Sequence, residues 1–167
     1  MNVEMFSIRL ATVDDVQTLV DFNMAMALET EQRRLDHHQL RAGVLALLAH
    51  PQYGFYIMAE TPGDEICTVV GQLMITFEWS DWRNGVFWWV QSVYVRPEWR
   101  RRGVYRVMHE HVVKEAKGDP QVCGIRLYVE QRNHGAQTVY QRVGLTPSGY
   151  ALFEQDFILP TRASHRP

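Results

Sequence analysis

Residues 67–95 hold two apolar runs, CTVVGQLMITFEW and VFWWVQSVYV, on either side of SDWRNG, and this leaves the chain few folds. Runs rich in β-branched and aromatic residues predict strands. SDWRNG (80–85) predicts a turn between them, with Asn84-Gly85 its strong signal. The expectation is a long antiparallel hairpin. It runs straight into VRPEWRRRGVYRVM (95–108), where three arginines meet a glycine and a helical pattern begins.

The flanking sequence supplies the rest of an α/β chain. FSIRLA (6–11) alternates as a half-buried strand does. Thr12 reads as an N-cap with Asp14 and Asp15 behind it, opening a helix to about Glu29. Its stripe is Val16, Leu19, Val20, Asn23 and Met24, with Asn23 the one polar member. Asp36 and Gln39 resemble a capping box for a second helix through Val44, Leu47 and Leu48, stopped before Pro51. GFYIMAE (54–60) is a strand and TPGDE (61–65) a turn. After the hairpin, a helix from Gly103 to about Lys117 buries Val104, Val107, Met108, His111 and Val112. CGIRLYVE (123–130) is a strand, Asn133 to Val143 a short helix closed by Gly144, and YALFEQDF (150–157) a last strand. The order is β-α-α-β-β-β-α-β-α-β. It is read as one domain over 1–160 and a loose tail at 161–167.

Seventeen Lys and Arg face nineteen Asp and Glu, a formal net charge of −2. A nucleic-acid-binding domain carries a basic excess, so the arginine run is a local feature and no nucleic-acid partner is expected. No apolar run is long enough to span a bilayer, and the first residues lack a signal-peptide core. Cys67 and Cys123 sit far apart in apolar runs without a CxxC pair. They are expected to be core thiols of a cytoplasmic protein.

The run's position, between a strand and a helix N-terminus, matters more than its charge. Unpaired N–H groups at a helix start favour an anion, above all phosphate. Gly103 lets the backbone approach a ligand, and Arg100, Arg101 and Arg102 add fixed charge. A pyrophosphate fits this better than a base-reading surface; a merely solvated loop is the plainer alternative. It is neither a Walker loop nor GxGxxG.

The run resembles motif A of the GNAT superfamily of N-acetyltransferases, Arg/Gln-x-x-Gly-x-Gly/Ala, through Arg100, Arg101, Arg102, Gly103, Val104 and Tyr105. VYVRPEW resembles the family's lead-in to that loop. Tyr105 departs from the pattern, standing where the family has Gly or Ala, and its side chain must turn away from the phosphates. RLYVEQRNHGAQTVYQRVGL is similar to motif B, with Asn133, Ala136, Tyr140, Gly144 and Leu145 at the family's spacing.

The resemblance implies the GNAT acyltransferase fold, a central, mixed, mostly antiparallel twisted sheet flanked by helices. It implies acetyl-coenzyme A as acyl donor, with the loop from Arg100 to Arg106 at its pyrophosphate. The end of the strand at Val93, Tyr94 and Val95 would meet the thioester carbonyl and pantetheine through backbone groups. A bulge there would free an N–H for an oxyanion. Tyr140 matches the tyrosine that meets the coenzyme sulfur. A phenol of pKa about 10 can donate to a thiolate whose conjugate acid has a pKa of about 8.5. Its plainer reading is a core aromatic. Asn133 would hold pantetheine, cap its helix, or both. The implied acceptor is a primary amine on a small molecule, peptide or protein, attacked directly in a ternary complex, and a homodimer is implied by resemblance.

The general base stays open. Some family members, including spermidine/spermine acetyltransferases, carry acids two and one positions before the segment matching Val93-Tyr94-Val95. Here Gln91 and Ser92 stand there, which counts against a polyamine acceptor. A water chain is one route, and Glu78, Asp81, Glu29 and Glu31 are distant carboxylates. His109 and His111 diverge on a helix, as do His37 and His38, so no metal is expected. Trp79, Trp82, Trp88 and Trp89 crowd the hairpin, as sheet packing or as the wall of an acceptor pocket or dimer surface. The alternative function is a non-catalytic acyl-coenzyme A sensor on the same fold.

Overall fold

The computed structural model describes residues 6–61 and 67–159. Its elements, in order, are β1 (Ser7–Leu10), α1 (Val16–Glu31), α2 (His37–Ala49), β2 (Gly54–Thr61), β3 (Thr68–Ser80), β4 (Gly85–Val95), α3 (Val104–Gly118), β5 (Val122–Arg126) and α4 (His134–Arg142). Most of the turn expected at 61–65 and all of the tail at 161–167 lie outside the described residues.

The sheet runs β1-β2-β3-β4-β5. All neighbours are antiparallel except β4 and β5, which are parallel. The class is α/β with a mixed, mostly antiparallel sheet, as expected. Alternation divides its side chains between two cores. Ile57, Leu73, Ile75 and Val90 face α3, which buries Val104, Met108 and Val112 against them. Tyr56 and Met58 face the other way, under Val16, Leu19 and Val20 of α1 and Val44 of α2. Full burial of each such side chain is worth about 1.5–3 kcal/mol.

Four expectations need correction. The first helix starts one turn late, because a 3-10 turn at Val13–Asp15 precedes it. There the Asp15 carboxylate accepts from the Thr12 N–H at 2.7 Å and from Arg9, which holds the tighter turn. In α3 His109, and not His111, is buried. Cys67 is exposed and Cys123 half-buried, so the core-thiol reading fails for Cys67. Finally, β5 ends at Arg126, and 150–157 forms no strand. Alternation supplies a face but not a hydrogen-bonding partner, and the last segment pairs with nothing, leaving Tyr150, Phe153 and Phe157 exposed.

Candidate functional site

The site begins where two strands part. β5 follows β4 only as far as Trp89, opposite Arg126. Beyond that pair β4 continues to Val95 on β3 alone, while residues 127–130 leave the ladder. The ladder therefore opens between the end of β4 and the chain leading to α4, with the Tyr128 hydroxyl donating to Gln91 across it at 3.1 Å.

At the same place β4 bulges. Gln72 pairs with Tyr94 but Met74 pairs with Gln91, so Ser92 and Val93 together oppose Leu73. Ser92 takes the left-handed conformation, φ 49°. The extra residue is left without a ladder partner, and it shifts the phase of the strand. Trp88 and Val90 face α3 before the bulge; Val93 and Val95 face it afterwards. Tyr94 points the other way, onto Phe22 of α1 at 4.9 Å between ring centroids. The bulge expected near Val93-Tyr94-Val95 is present.

Past Val95 a short 3-10 turn, Pro97–Trp99, leads into the arginine loop. Arg101 (φ 62°) and Gly103 (φ 89°) are both left-handed, and Gly103 is the N-cap of α3 with no side-chain cap. The first amides of α3, at Val104, Tyr105 and Arg106, are thus left facing outward. The arginines are not equivalent. Arg100 donates to the Val95 carbonyl at 2.9 Å and to Glu29 at 2.6 Å. Its charge serves to tie the loop to the end of α1. Arg102 lies over the Trp99 ring at 4.9 Å. Arg101 and Arg106 are exposed. The Arg106 guanidinium lies beside Gly103, 3.7 Å from where a Cβ would stand.

Across the opening, α4 starts at Asn133, whose Oδ1 accepts from the Ala136 N–H at 3.0 Å. Capping is therefore its observed contact. Tyr140 lies one face along, half-buried against Tyr105 with ring centroids 5.5 Å apart. Burial pushes the Tyr140 phenol above its ordinary range. The Tyr105 side chain packs between His109 of α3 and Tyr140 of α4, and burial, then the nearby Tyr140, raise its phenol too. Gly144, at φ 93°, ends α4 as expected.

The carboxylates divide. Glu29 pairs with Arg100 and accepts from the Tyr94 hydroxyl at 3.4 Å. Glu78 accepts from the Trp89 indole and from Arg126 at 3.0 Å. Asp81 caps its own turn through the Trp82 N–H. Beneath the bulge lies a polar group that pattern reading did not assemble. Asn23 on α1 donates to the Leu19 carbonyl at 2.8 Å and faces the Tyr56 hydroxyl at 3.4 Å. That hydroxyl also meets the Ser92 side chain. Gln72, fully buried, donates to the Ser92 carbonyl at 3.3 Å, and its Oε1 has no partner among the described residues. Asn23 was the one signal, a polar residue in an apolar stripe. Among the described residues no cluster of three or more His, Cys, Asp or Glu is placed to hold a metal.

Known proteins match this arrangement. The model of the Acetyltransferase (GNAT) family matches residues 17–145. A possible acetyltransferase from Clostridium difficile 630 is similar at 38% identity, over 93% of this chain and 100% of its own, with a TM-score of 0.84. An integron cassette protein from the mobile metagenome of Cole Harbour Salt Marsh is 26% identical over 92% of this chain and 91% of its own, TM-score 0.76. A predicted acetyltransferase from Clostridium acetobutylicum, solved with acetyl-CoA, shares the fold at 18% identity over 90% of this chain and 96% of its own, TM-score 0.73. No curated protein matches the chain. The matched span takes in strands β2 to β5, the bulge, the arginine loop and α4, and the chain belongs to the GNAT family of acetyltransferases.

Proposed function

We propose that the protein transfers the acetyl group of acetyl-coenzyme A to a primary amine, on a small molecule, a peptide or a protein, by direct attack in a ternary complex. The observation that carries this reading is the coincidence of three features at one end of the sheet. β4 leaves β5, β4 bulges at Ser92–Val93, and the arginine loop delivers the N-terminus of α3. The first amides of α3, at Val104, Tyr105 and Arg106, with the Arg101 and Arg106 guanidiniums, would take the pyrophosphate. Backbone groups of Val93, Tyr94 and Val95 would line the pantetheine arm, and an N–H released by the bulge would face the thioester oxygen. Asn133 and Ala136 form the near wall.

The chemistry balances as follows. The amine nitrogen forms a bond to the acetyl carbon, the C–S bond breaks, and sulfur leaves with its electron pair. Tyr140 supplies the proton that sulfur takes up and regains one from solvent. The amine's own proton leaves to water past neutral polar groups, Ser92 and Tyr56, since no carboxylate stands at 91 or 92. That line of neutral groups favours an acceptor other than a polyamine. The same absence supports the second reading, an acyl-coenzyme A sensor without turnover.

A cytoplasmic location, one domain over 1–160 and a homodimer complete the proposal. Two free cysteines suit a reducing compartment. Tyr150, Leu152, Phe153 and Phe157 are exposed together near the C-terminus and suit a second copy.

A thermal melt with excess acetyl-coenzyme A tests the donor. A ligand at about a hundred times its Kd adds roughly 2.7 kcal/mol, so the midpoint should rise by several degrees. An amine panel scored by thiol release then separates enzyme from sensor. Tyr140→Phe should lower kcat by about a hundredfold and leave the melt shift intact. No shift at millimolar ligand would sink the donor, and a shift without thiol release from any amine would favour the sensor.

A further inference from the structure

Tyr140 has a ring neighbour but no hydrogen bond from its hydroxyl among the described residues. Its aim is therefore set by what its ring packs against. That neighbour is Tyr105, the residue at which the loop departs from the family pattern. The two rings meet edge to face, 5.5 Å apart at 65°. On its other side Tyr105 lies against His109, one helical turn on, with 5.8 Å between centroids and 3.5 Å from hydroxyl to Nδ1. His109 is buried, and its ring lies beside the backbone of Val143, just past the C-terminal end of α4.

These contacts matter because α4 has little else to hold it. None of its residues is fully buried. A groove of about 640 Å³, lined by Arg106, His109, Lys114 and Arg142 among others, runs between α3 and the C-terminal end of α4. A helix so lightly docked keeps one side chain within a fraction of an ångström only if that side chain is braced locally.

We propose that Tyr105 and His109 are positioning residues for Tyr140: Tyr105 clamps the Tyr140 ring, and His109 ties α3 to the far end of α4. The catalytic consequence rests on Tyr140 being the acid of the proposed reaction; the brace itself does not. A side chain that a glycine or alanine would lack thus fills the space beside the acid. Misplacing a reacting group by about 1 Å costs up to a hundredfold in rate, which sets the scale.

The test is a double-mutant cycle with a second, activity-independent readout. Tyr105→Ala should lower kcat roughly ten- to a hundredfold with little change in KM for acetyl-coenzyme A, and Tyr105→Phe should recover most of the loss. In a Tyr140→Phe background the same Tyr105→Ala change should cost less than about threefold, because residues acting through one group are not additive. If Tyr105→Ala costs as much in the Tyr140→Phe background as in the wild type, the proposal is overturned. Should Tyr105→Ala fail to fold, Tyr105→Leu keeps the bulk without the flat ring and is read in the same way. The second readout is the titration of Tyr140, followed by NMR on tyrosine-labelled protein and assigned by the signal lost in Tyr140→Phe. Loss of the Tyr105 ring should let water in and lower that titration point, and an unchanged titration would overturn the brace. If the wild type shows no turnover but the titration moves, the proposed reaction fails while the brace stands.

Discussion

At Gly54 the chain enters β2 with φ 148°, and a Cβ there would stand 1.9 Å from the Ile75 carbonyl oxygen of the neighbouring strand. Neither the backbone angle nor the space admits a side chain. Gly54→Ala should cost about 3 kcal/mol or more, read as a fall in the urea midpoint at constant m. An unchanged midpoint would mean that β2 and β3 separate at this end without penalty. Gly103 differs, since its left-handed angle demands glycine while the space beside it is open apart from Arg106. Of the residues proposed for the site, the place of Gly103 at the start of α3 and the cap at Asn133 were legible from type and spacing. The partners of the arginines were not. Arg100 meets Glu29 across seventy-one positions of sequence, and nothing local in either segment announces that pair.

Among the elements, α4 shows how much a cap can carry. Asn133 closes its first turn through the Ala136 N–H, and the helix buries none of its residues fully. Asn133→Ala should destabilise the helix by about 1 kcal/mol, and Asn133→Asp should restore most of it. Hydrogen exchange of α4 amides should quicken about fivefold in the alanine variant while the sheet's amides keep their rates. Equal exchange in both proteins would show that the brace from α3, rather than the cap, holds α4. Most elements were readable because hydrophobic period and turn chemistry are local. β5 was overextended because residues 127–130 have strand composition but no strand beside them. The segment 150–157 failed for the same reason, with Phe153 and Phe157 left in solvent.

Over the whole molecule, one ion-pair group joins three parts of the chain. Arg9 on β1 bonds Asp15 of the first turn at 2.7 Å and Glu60 of β2 at 2.8 Å. The Arg9 hydrogen bond, followed by the Thr12 N–H, outweighs desolvation and lowers the Asp15 pKa. A carboxyl whose folded pKa is depressed contributes stability above its unfolded value, and loses it as pH falls through the folded one. Asp15→Asn should therefore lower Tm clearly at pH 7, and the gap to wild type should close below about pH 4, the ordinary carboxylate range. A gap independent of pH would assign the loss to packing. The sequence by itself determined the order of strands and helices as far as α4, the hairpin that turns through residues 81–84, the arginine loop at a helix start and the spacing of α4. Each of these is written in periods of two or 3.6 and in turn residues. Only the tertiary structure decided where β4 parts from β5, that Arg100 is tied to Glu29, and that Tyr105 leans on Tyr140. In VFWWVQSVYV both faces of the strand are apolar, so the phase shift at Ser92 leaves no mark in the pattern. It arises from the pairing of β4 with β3, a relation between distant segments that residue order alone does not carry.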